Sequence, residues 1–458
     1  MLRQWQSEAV TLALKQYTEG QKHFLVLATP GAGKTIMAAE VAYRLKQKDK
    51  IDFILCFSPS LIVAEGIRTT FTKRFNAQFN GGLSAVGSSY TYQNMLYLQD
   101  EFWSLLEQYN VLVILDEIHH CSGVDTLNSN AWGEKVLTKI QSKATYTLAL
   151  TGTPWRSDFM PITLSKYINP DNQIWCDYTY GLAEAVRDRV CRHPHLVLID
   201  SDFRVDGNGE GRKAFSGIAD LLKVSSTNYE SVITHPDIVK YLLKLGCNKL
   251  QKIRKDNPKA AGLVVASSVE HAKYIFNILK VEFGQTATIV TYKHDYPLKE
   301  IDKFRNGNQQ WIVSVGMISE GTDIPRLQVC CHLSTVKTEL YFRQVLGRIL
   351  RFTNDKNQNA WLFTVAEPTL MEYAKRISQD IPEHSVIIKE DEQVSSFIDR
   401  AIKENREVIS PPKQSLEALL ELNIKNSTLI IENDYITPQI RLHGNFRQRI
   451  ISVFEGIH

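Results

Sequence analysis

The chain has 458 residues, 43% of them hydrophobic and 22% charged, and a formal net charge of +3. This is the composition of a globular protein of about two to three domains, and so small a net charge confines any nucleic-acid surface to a local basic groove. No apolar run approaches a membrane span, MLRQWQSEAV lacks a signal-peptide core, and the seven cysteines contain no CxxC pair, so the expectation is a cytoplasmic protein with reduced thiols and no membrane partner.

In chain order, the apolar run FLVLA (24–28) leads into ATPGAGKT (28–35), and the amphipathic stretch TIMAAEVAYRLK follows. That is a strand, a glycine-rich loop and a helix. The loop backbone from Thr29 through Pro30, Gly31, Ala32 and Gly33 can surround phosphate oxygens at a helix N-terminus, where the dipole favours an anion. Lys34 can reach the β- and γ-phosphates and Thr35 can hold Mg²⁺. Ala28 stands where the phosphate-loop pattern usually begins with glycine. Next come a strand, DFILCF (52–57), a helix near 60–73, and VLVIL (111–115), a strand that delivers Asp116 and Glu117 at its end. One carboxylate can bind the metal through water while the other activates an attacking water. Together the loop and the carboxylate pair describe a site for ATP hydrolysis.

A helix near 131–142 and the strand TYTLALT (145–151) complete a first α/β unit. Near-continuous apolar strands separated by helices indicate a parallel sheet covered on both faces. The alternation recurs at 262–364, with strands GLVVAS, ATIVTY, WIVSVG, LQVCCHL and AWLFTV and helices near 268–281, 298–305 and 339–347. The expected division is a first lobe over 1–170, an inter-lobe linker or accessory region over 171–245, a second lobe over 246–370, and a mainly helical C-terminal extension over 371–458. VDGNGEGRK (205–213) reads as a mobile turn or hairpin tip. In the tail, SSFIDRAIKENREV and SLEALLELNIK are expected as helices, interrupted by Pro411-Pro412 and docked on the second lobe. Cys191, His193 and His195 form no metal site, since no second ligand pair lies at zinc spacing.

The ordered series LRQWQ (2–6), ATPGAGKT (28–35), FSPSL (57–61), TYQ (91–93), DEIH (116–119), TGTPWRSD (151–158), VSVGMISEGTDIPRL (313–327) and QVLGRILR (344–351) resembles superfamily 2 helicases and translocases. Within them it is most similar to the bacterial DEAD/DEAH-box group related to Rad25-like enzymes and restriction-enzyme motor subunits. The resemblance covers roughly residues 2–365, and an ordered set is more specific than any single motif. It implies two tandem RecA-like lobes with ATP and Mg²⁺ between them. Gln6 then corresponds to the glutamine that reads the adenine edge, to which its amide is suited as donor and acceptor. Asp116 holds the metal's water shell, Glu117 is the general base, and His119 links the ATP site to the last motif.

Arg348 and Arg351 lie three apart on one helical face and resemble arginine fingers reaching from the second lobe to the γ-phosphate. Gln344 and Gly347 complete that motif, with Gly347 allowing close approach of the lobes. Thr151, Gly152 and Thr153 couple the cycle to the grip on nucleic acid, and Gly321, Thr322 and Asp323 face both ATP and nucleic acid. Ser58, Pro59, Thr91, Tyr92 and Gln93 supply sugar-phosphate contacts. The implied activity is an ATP-dependent helicase or translocase acting on nucleic acid, DNA in preference to RNA. Two alternatives are a non-unwinding motor subunit of a restriction or phage-defence complex, whose nuclease would be a partner protein, and a nucleotide-gated clamp.

Overall fold

The computed structural model describes residues 2–379 except 124, 126, 154–159, 169–172, 207–211, 225–226, 292–296, 317–321 and 354, together with 387–390, 439–442 and 446–452. The first sheet takes five strands from the N-terminal third: β1 (His23–Ala28), β2 (Phe53–Ser58), β3 (Gly87–Thr91), β4 (Val111–Asp116) and β5 (Tyr146–Thr151). A short antiparallel pair, β6 (Lys166–Ile168) and β7 (Gln173–Trp175), follows, and then β8 (Tyr178–Tyr180). The order β3-β2-β4-β5-β1-β8 is parallel throughout. Every residue of β4 is buried, because helices cover both faces of a parallel sheet and leave no polar side to the strand.

The second sheet begins with β9 (His193–Asp200), which is followed by the antiparallel hairpin β10 (Phe203–Asp206) and β11 (Arg212–Phe215). Its central strands are β12 (Ala261–Ala266), β13 (Ala287–Val290), β14 (Trp311–Ser314), β15 (Leu327–Leu333) and β16 (Asn359–Val365). From the tail come β17 (Ile387–Glu390), β18 (Gln439–Leu442) and β19 (Arg447–Ser452). The order β13-β14-β12-β15-β16-β9-β19-β17 is parallel as far as β9, where β19 and then β17 add in antiparallel fashion. β18 joins the β10–β11 hairpin as a third strand.

The α/β architecture of two parallel-sheet lobes is as expected, but the segment 171–245 does more than connect them. β8 closes the edge of the first sheet, and β9 lies inside the second, carried there by the apolar run Leu196–Ile199, which is buried. One core accordingly runs from Phe24 and Val26 through Leu182, Ala185 and Val190 to Leu263 and Val329. The hairpin expected near 205–213 is present, its tip outside the described residues. In the tail, the helix Pro368–Gln379 gives way to strands, with Ile451 packed into the core at 2% exposure. The two tail stretches expected as helices lie outside the described residues. Among the described residues no helix is long and apolar enough to cross a membrane. None of the seven cysteines is in a disulfide.

Candidate active site

The phosphate loop joins β1 to the helix Lys34–Gln47, with Gly33 as its N-cap. Gly33 is needed there twice over. Its φ is +96°, a left-handed conformation that disfavours a side chain, and a Cβ would come within 2.8 Å of Gln6 Nε2. The loop is held from outside: Gln6 Nε2 donates to Gly33 O at 2.9 Å, Arg3 Nη1 to Ala32 O at 2.6 Å, and Thr29 N to Tyr180 O at 3.0 Å. Gln6 Oε1 accepts from Arg3 N at 2.9 Å, so both ends of its amide are engaged, and the residue is only 2% exposed. Gln6 in this structure holds the loop and does not line the cavity in front of it. Substituting Gln6 with Ala is expected to weaken nucleotide binding about tenfold through loosening of this loop, as measured by titration of a fluorescent ATP analogue.

β4 delivers Asp116, which is 6% exposed, and the chain then turns through Glu117 at φ 50°, ψ 53°. A left-handed glutamate costs about 1–3 kcal/mol and needs surrounding contacts to persist. Three contacts supply this: Lys34 Nζ lies 3.3 Å from Glu117 Oε1, Gly152 N donates to Oε2 at 3.0 Å, and His119 Nδ1 is 3.5 Å from Oε2. Lys34 Nζ also donates to Ala28 O at 3.1 Å. Thr151 Oγ1 gives its proton to Thr153 O at 2.7 Å and so accepts from His119 Nδ1 at 3.0 Å. DEIH and TGT thus form one bonded layer under the loop. From behind, Tyr92 OH donates to Asp116 O at 2.8 Å.

Burial pushes the Glu117 carboxyl up, but the charges of Lys34 and His119 and the Gly152 N–H more than offset it and bring it down to about 2. The group is therefore a carboxylate at every ordinary pH. Its folded pKa is depressed, so its contribution to stability is complete above the ordinary value of 4.5 and is lost as pH falls towards about 2. The melting-temperature difference between wild type and Glu117→Gln should shrink on acidification through that window. A difference that widened would show the carboxylate to be poorly paired.

The opposite wall is the helix Glu339–Ile349, started by Thr338, whose side chain accepts from Tyr341 N at 3.3 Å. Arg348 Nη1 donates to Thr322 O at 2.8 Å, and Arg351 Nε pairs with Asp323 Oδ1 at 3.2 Å. The two walls enclose a cavity of about 300 Å³, lined on one side by Gly33, Lys34, Thr35, Asp116 and Glu117 and on the other by Asp323, Gln344, Arg348 and Arg351. A larger cavity of about 870 Å³ shares Ile36 and Thr70 with it and continues past Leu2 and Ser7 to Glu40, Arg44, Lys73 and Arg74. Contact between the walls is close: a Cβ on Gly347 would lie 2.5 Å from Pro30 Cβ. Gly347→Val should hold the lobes apart and lower ATP turnover by about 100-fold, with nucleotide binding to the isolated loop little changed. Turnover at the wild-type rate would show that the cleft need not close.

Of the residues expected at the site, Pro30, Gly31, Gly33, Lys34, Thr35, Asp116, Glu117, Asp323, Gln344, Arg348 and Arg351 meet at the first cavity. Thr29, Ala32 and His119 stand behind it as supports. The residues expected to touch nucleic acid do not form one open surface. Ser58, Thr91, Tyr92 and Thr322 are buried, Ser58 bonding to Tyr90 O, Thr91 capping the short helix after it, and Thr322 offering its carbonyl to Arg348. Pro59 lines the first cavity, and Gln93 is exposed. Gly321 lies outside the described residues. Sequence reasoning missed Tyr180 and the pair Cys191-Arg192, which come from a distant part of the chain and carry no local pattern, and the contact that Arg3, within LRQWQ, makes with the loop.

Residues 1–156 match the family model described as type III restriction enzyme, res subunit, and residues 242–353 match the helicase conserved C-terminal domain. An uncharacterized protein of Mycobacterium leprae is 28% identical over 394 residues, covering 82% of this chain and 64% of its own, so the chain spans less than two thirds of that relative. DNA 3'-5' translocase XPB2 of Sulfurisphaera tokodaii is 22% identical over 406 residues, 81% of this chain and 83% of its own. Among solved structures, the fragment of a putative HsdR subunit of a type I restriction enzyme from Vibrio vulnificus shares the fold, with a TM-score of 0.55 at 18% identity over 81% of this chain and 65% of that one. With both family models falling on the two lobes and the motifs in order along them, the chain is a superfamily 2 helicase-like protein.

Proposed function

We propose that the chain hydrolyses ATP in the cleft between its lobes and uses closure and opening of that cleft to move along nucleic acid, DNA in preference to RNA. The observation that supports this most is the single cavity with Lys34, Thr35, Asp116 and Glu117 on one wall and Gln344, Arg348 and Arg351 on the other. A complete hydrolytic set divided between two lobes makes turnover depend on their approach. The same division argues against a clamp without turnover, which has no use for Glu117 and both arginines.

In this reading the two critical cations rest on carboxylates until phosphate arrives. Lys34 leaves Glu117 for the β- and γ-phosphates, and Arg351 leaves Asp323 for the γ-phosphate. Loss of the Lys34 charge raises the Glu117 carboxylate from its depressed pKa, so it becomes a better base only once substrate is in place. Glu117 then accepts the proton of the attacking water, while Gly152 N–H and His119 hold its orientation. Thr35 hydroxyl and Asp116 carboxylate, hard oxygen donors on the same cavity, are the set suited to Mg²⁺. When bound, that ion neutralises charge on the phosphates. The adenosine portion is assigned to the larger cavity beyond Ile36, and the protein to the cytoplasm, where its thiols stay reduced.

A second reading keeps the motor and omits unwinding, as in a motor subunit whose nuclease or defence partner is another protein. It is favoured by the restriction-enzyme family model over residues 1–156 and by the relative named as a translocase. Displacement of a third strand from a triplex reports movement, and displacement of one strand from a duplex reports unwinding. Activity in both assays supports a helicase, and activity in the triplex assay alone supports the bare translocase. Neither, with ATP present, would remove the motor reading.

A further inference from the structure

The segment between the lobes ends in a buried cation that bonds to the chain around the arginine helix. Arg192 is 0% exposed. Its Nη1 donates to Leu327 O at 2.7 Å, Pro325 O at 3.1 Å and Ile349 O at 3.3 Å, and its Nη2 to Thr353 Oγ1 at 2.8 Å. Its backbone N donates to Leu350 O at 2.8 Å. Ile349 and Leu350 are the last residue and the C-cap of the helix that carries Arg348, so their carbonyls belong to the set a helix leaves without intrahelical partners. A guanidinium there meets both the unpaired oxygens and the negative end of the dipole. Pro325 lies in the turn before β15 and Leu327 is that strand's first residue, just after Thr322 and Asp323.

The neighbouring residue faces the other lobe. Cys191 forms an isolated antiparallel bridge with Arg351, and its Sγ lies 3.8 Å from Pro30 O in the phosphate loop. Eleven residues upstream, Tyr180 O accepts from Thr29 N at the start of that loop. The strap from Tyr180 to Arg192 is therefore bonded at one end to the loop that would hold phosphate and at the other to the backbone that carries Arg348 and Arg351.

We propose that Arg192 is a positioning residue that fixes Arg348 and Arg351 for their approach to nucleotide, and that the strap it terminates couples occupancy of the phosphate loop to the placement of those arginines. This rests on the ATP-site reading above. The guanidinium suits the task because two nitrogens in a rigid plane serve four acceptors from three chain segments, which a lysine ammonium on a flexible stem cannot match. Without it the carbonyls of Leu327, Ile349 and Pro325 lose a charged donor in a place that excludes water, and the backbone at Leu350-Arg351 is free to shift.

The test uses the full chain with Arg192→Met, Arg192→Lys and the milder Thr353→Val, each also combined with Arg351→Ala. In Arg192→Met, kcat for ATP hydrolysis should fall by about 30-fold or more, a part of what a lost arginine finger removes, while the Kd for a fluorescent ATP analogue stays within about threefold. Combined with Arg351→Ala, Arg192→Met should lower kcat further by less than about tenfold, clearly less than it does alone, because one of the two arginines it positions is already gone. Arg192→Lys should recover part of the rate, and Thr353→Val should give a smaller loss of the same kind. Equal kcat losses with and without Arg351, or an unchanged kcat, would overturn the proposal. If Arg192→Met does not fold, the Thr353→Val pair carries the same additivity test.

Amide hydrogen exchange over residues 346–353 provides a readout independent of catalysis. It should speed up in the Arg192 and Thr353 variants while β12 and β16 stay protected. Unchanged exchange would refute the positioning role even if the protein proved not to hydrolyse ATP. A wild type without turnover but with the expected exchange would instead refute the ATPase reading.

Discussion

Glu117→Gln is expected to lower ATP turnover by about 10²–10⁴-fold, the contribution of a general base, and to leave nucleotide bound. The binding half of this expectation follows from the Lys34–Glu117 pair at 3.3 Å. Phosphate must compete with Glu117 for Lys34, and glutamine competes less well than a carboxylate, so ATP affinity should hold or rise. Lys34→Ala separates the two effects. It removes the cation that meets phosphate and should weaken ATP binding, and what remains of turnover should be slow as well. Steady-state phosphate release beside titration with a fluorescent ATP analogue measures both. A Glu117→Gln chain that hydrolyses ATP at the wild-type rate would move the base elsewhere.

Arg351→Ala is the second large effect, and it comes from the other lobe. An arginine finger contributes about 10³–10⁵ in rate, or about 4–7 kcal/mol of transition-state stabilisation. Arg351 Nε pairs with Asp323 Oδ1 at 3.2 Å, and Gly31 lies close by, where a Cβ would be 3.5 Å from Arg351 Cδ. Removing the side chain should therefore cost kcat far more than KM. Lysine at this position keeps the charge but not the planar fork, and should recover only a small part of the rate. Asp323→Asn removes the competing carboxylate and gives a control in which the arginine is released and not lost.

The phosphate loop, the DEIH turn and the QxxGRxxR helix were legible because each is local: a strand or helix presents its chemistry within a few residues, and the spacing follows from the element. Gln6 shows what that reading leaves out. Its amide suits an adenine edge, and in this structure it also bonds Gly33 O and Arg3 N, contacts set by how the first helix packs against the loop. Tyr92 is similar, its hydroxyl turned inward to Asp116 O. The strand at 193–200 was missed in a stretch read as a linker, because joining a sheet begun elsewhere is a long-range event with a weak local signature. Arg192 had no signature at all. A single arginine before an apolar run looks like a surface residue until the carbonyls of Pro325, Leu327 and Ile349 surround it.

The proposed function stands on hydrolysis that requires both lobes and responds to nucleic acid. Phosphate release by the full chain at saturating ATP, with and without single-stranded DNA, duplex DNA and RNA, tests it most directly when Glu117→Gln and Arg351→Ala are run beside the wild type. Turnover should be stimulated by nucleic acid, by DNA more than RNA, and lost in both variants. Wild-type turnover in Arg351→Ala, or a wild type indifferent to every nucleic acid offered, would contradict it.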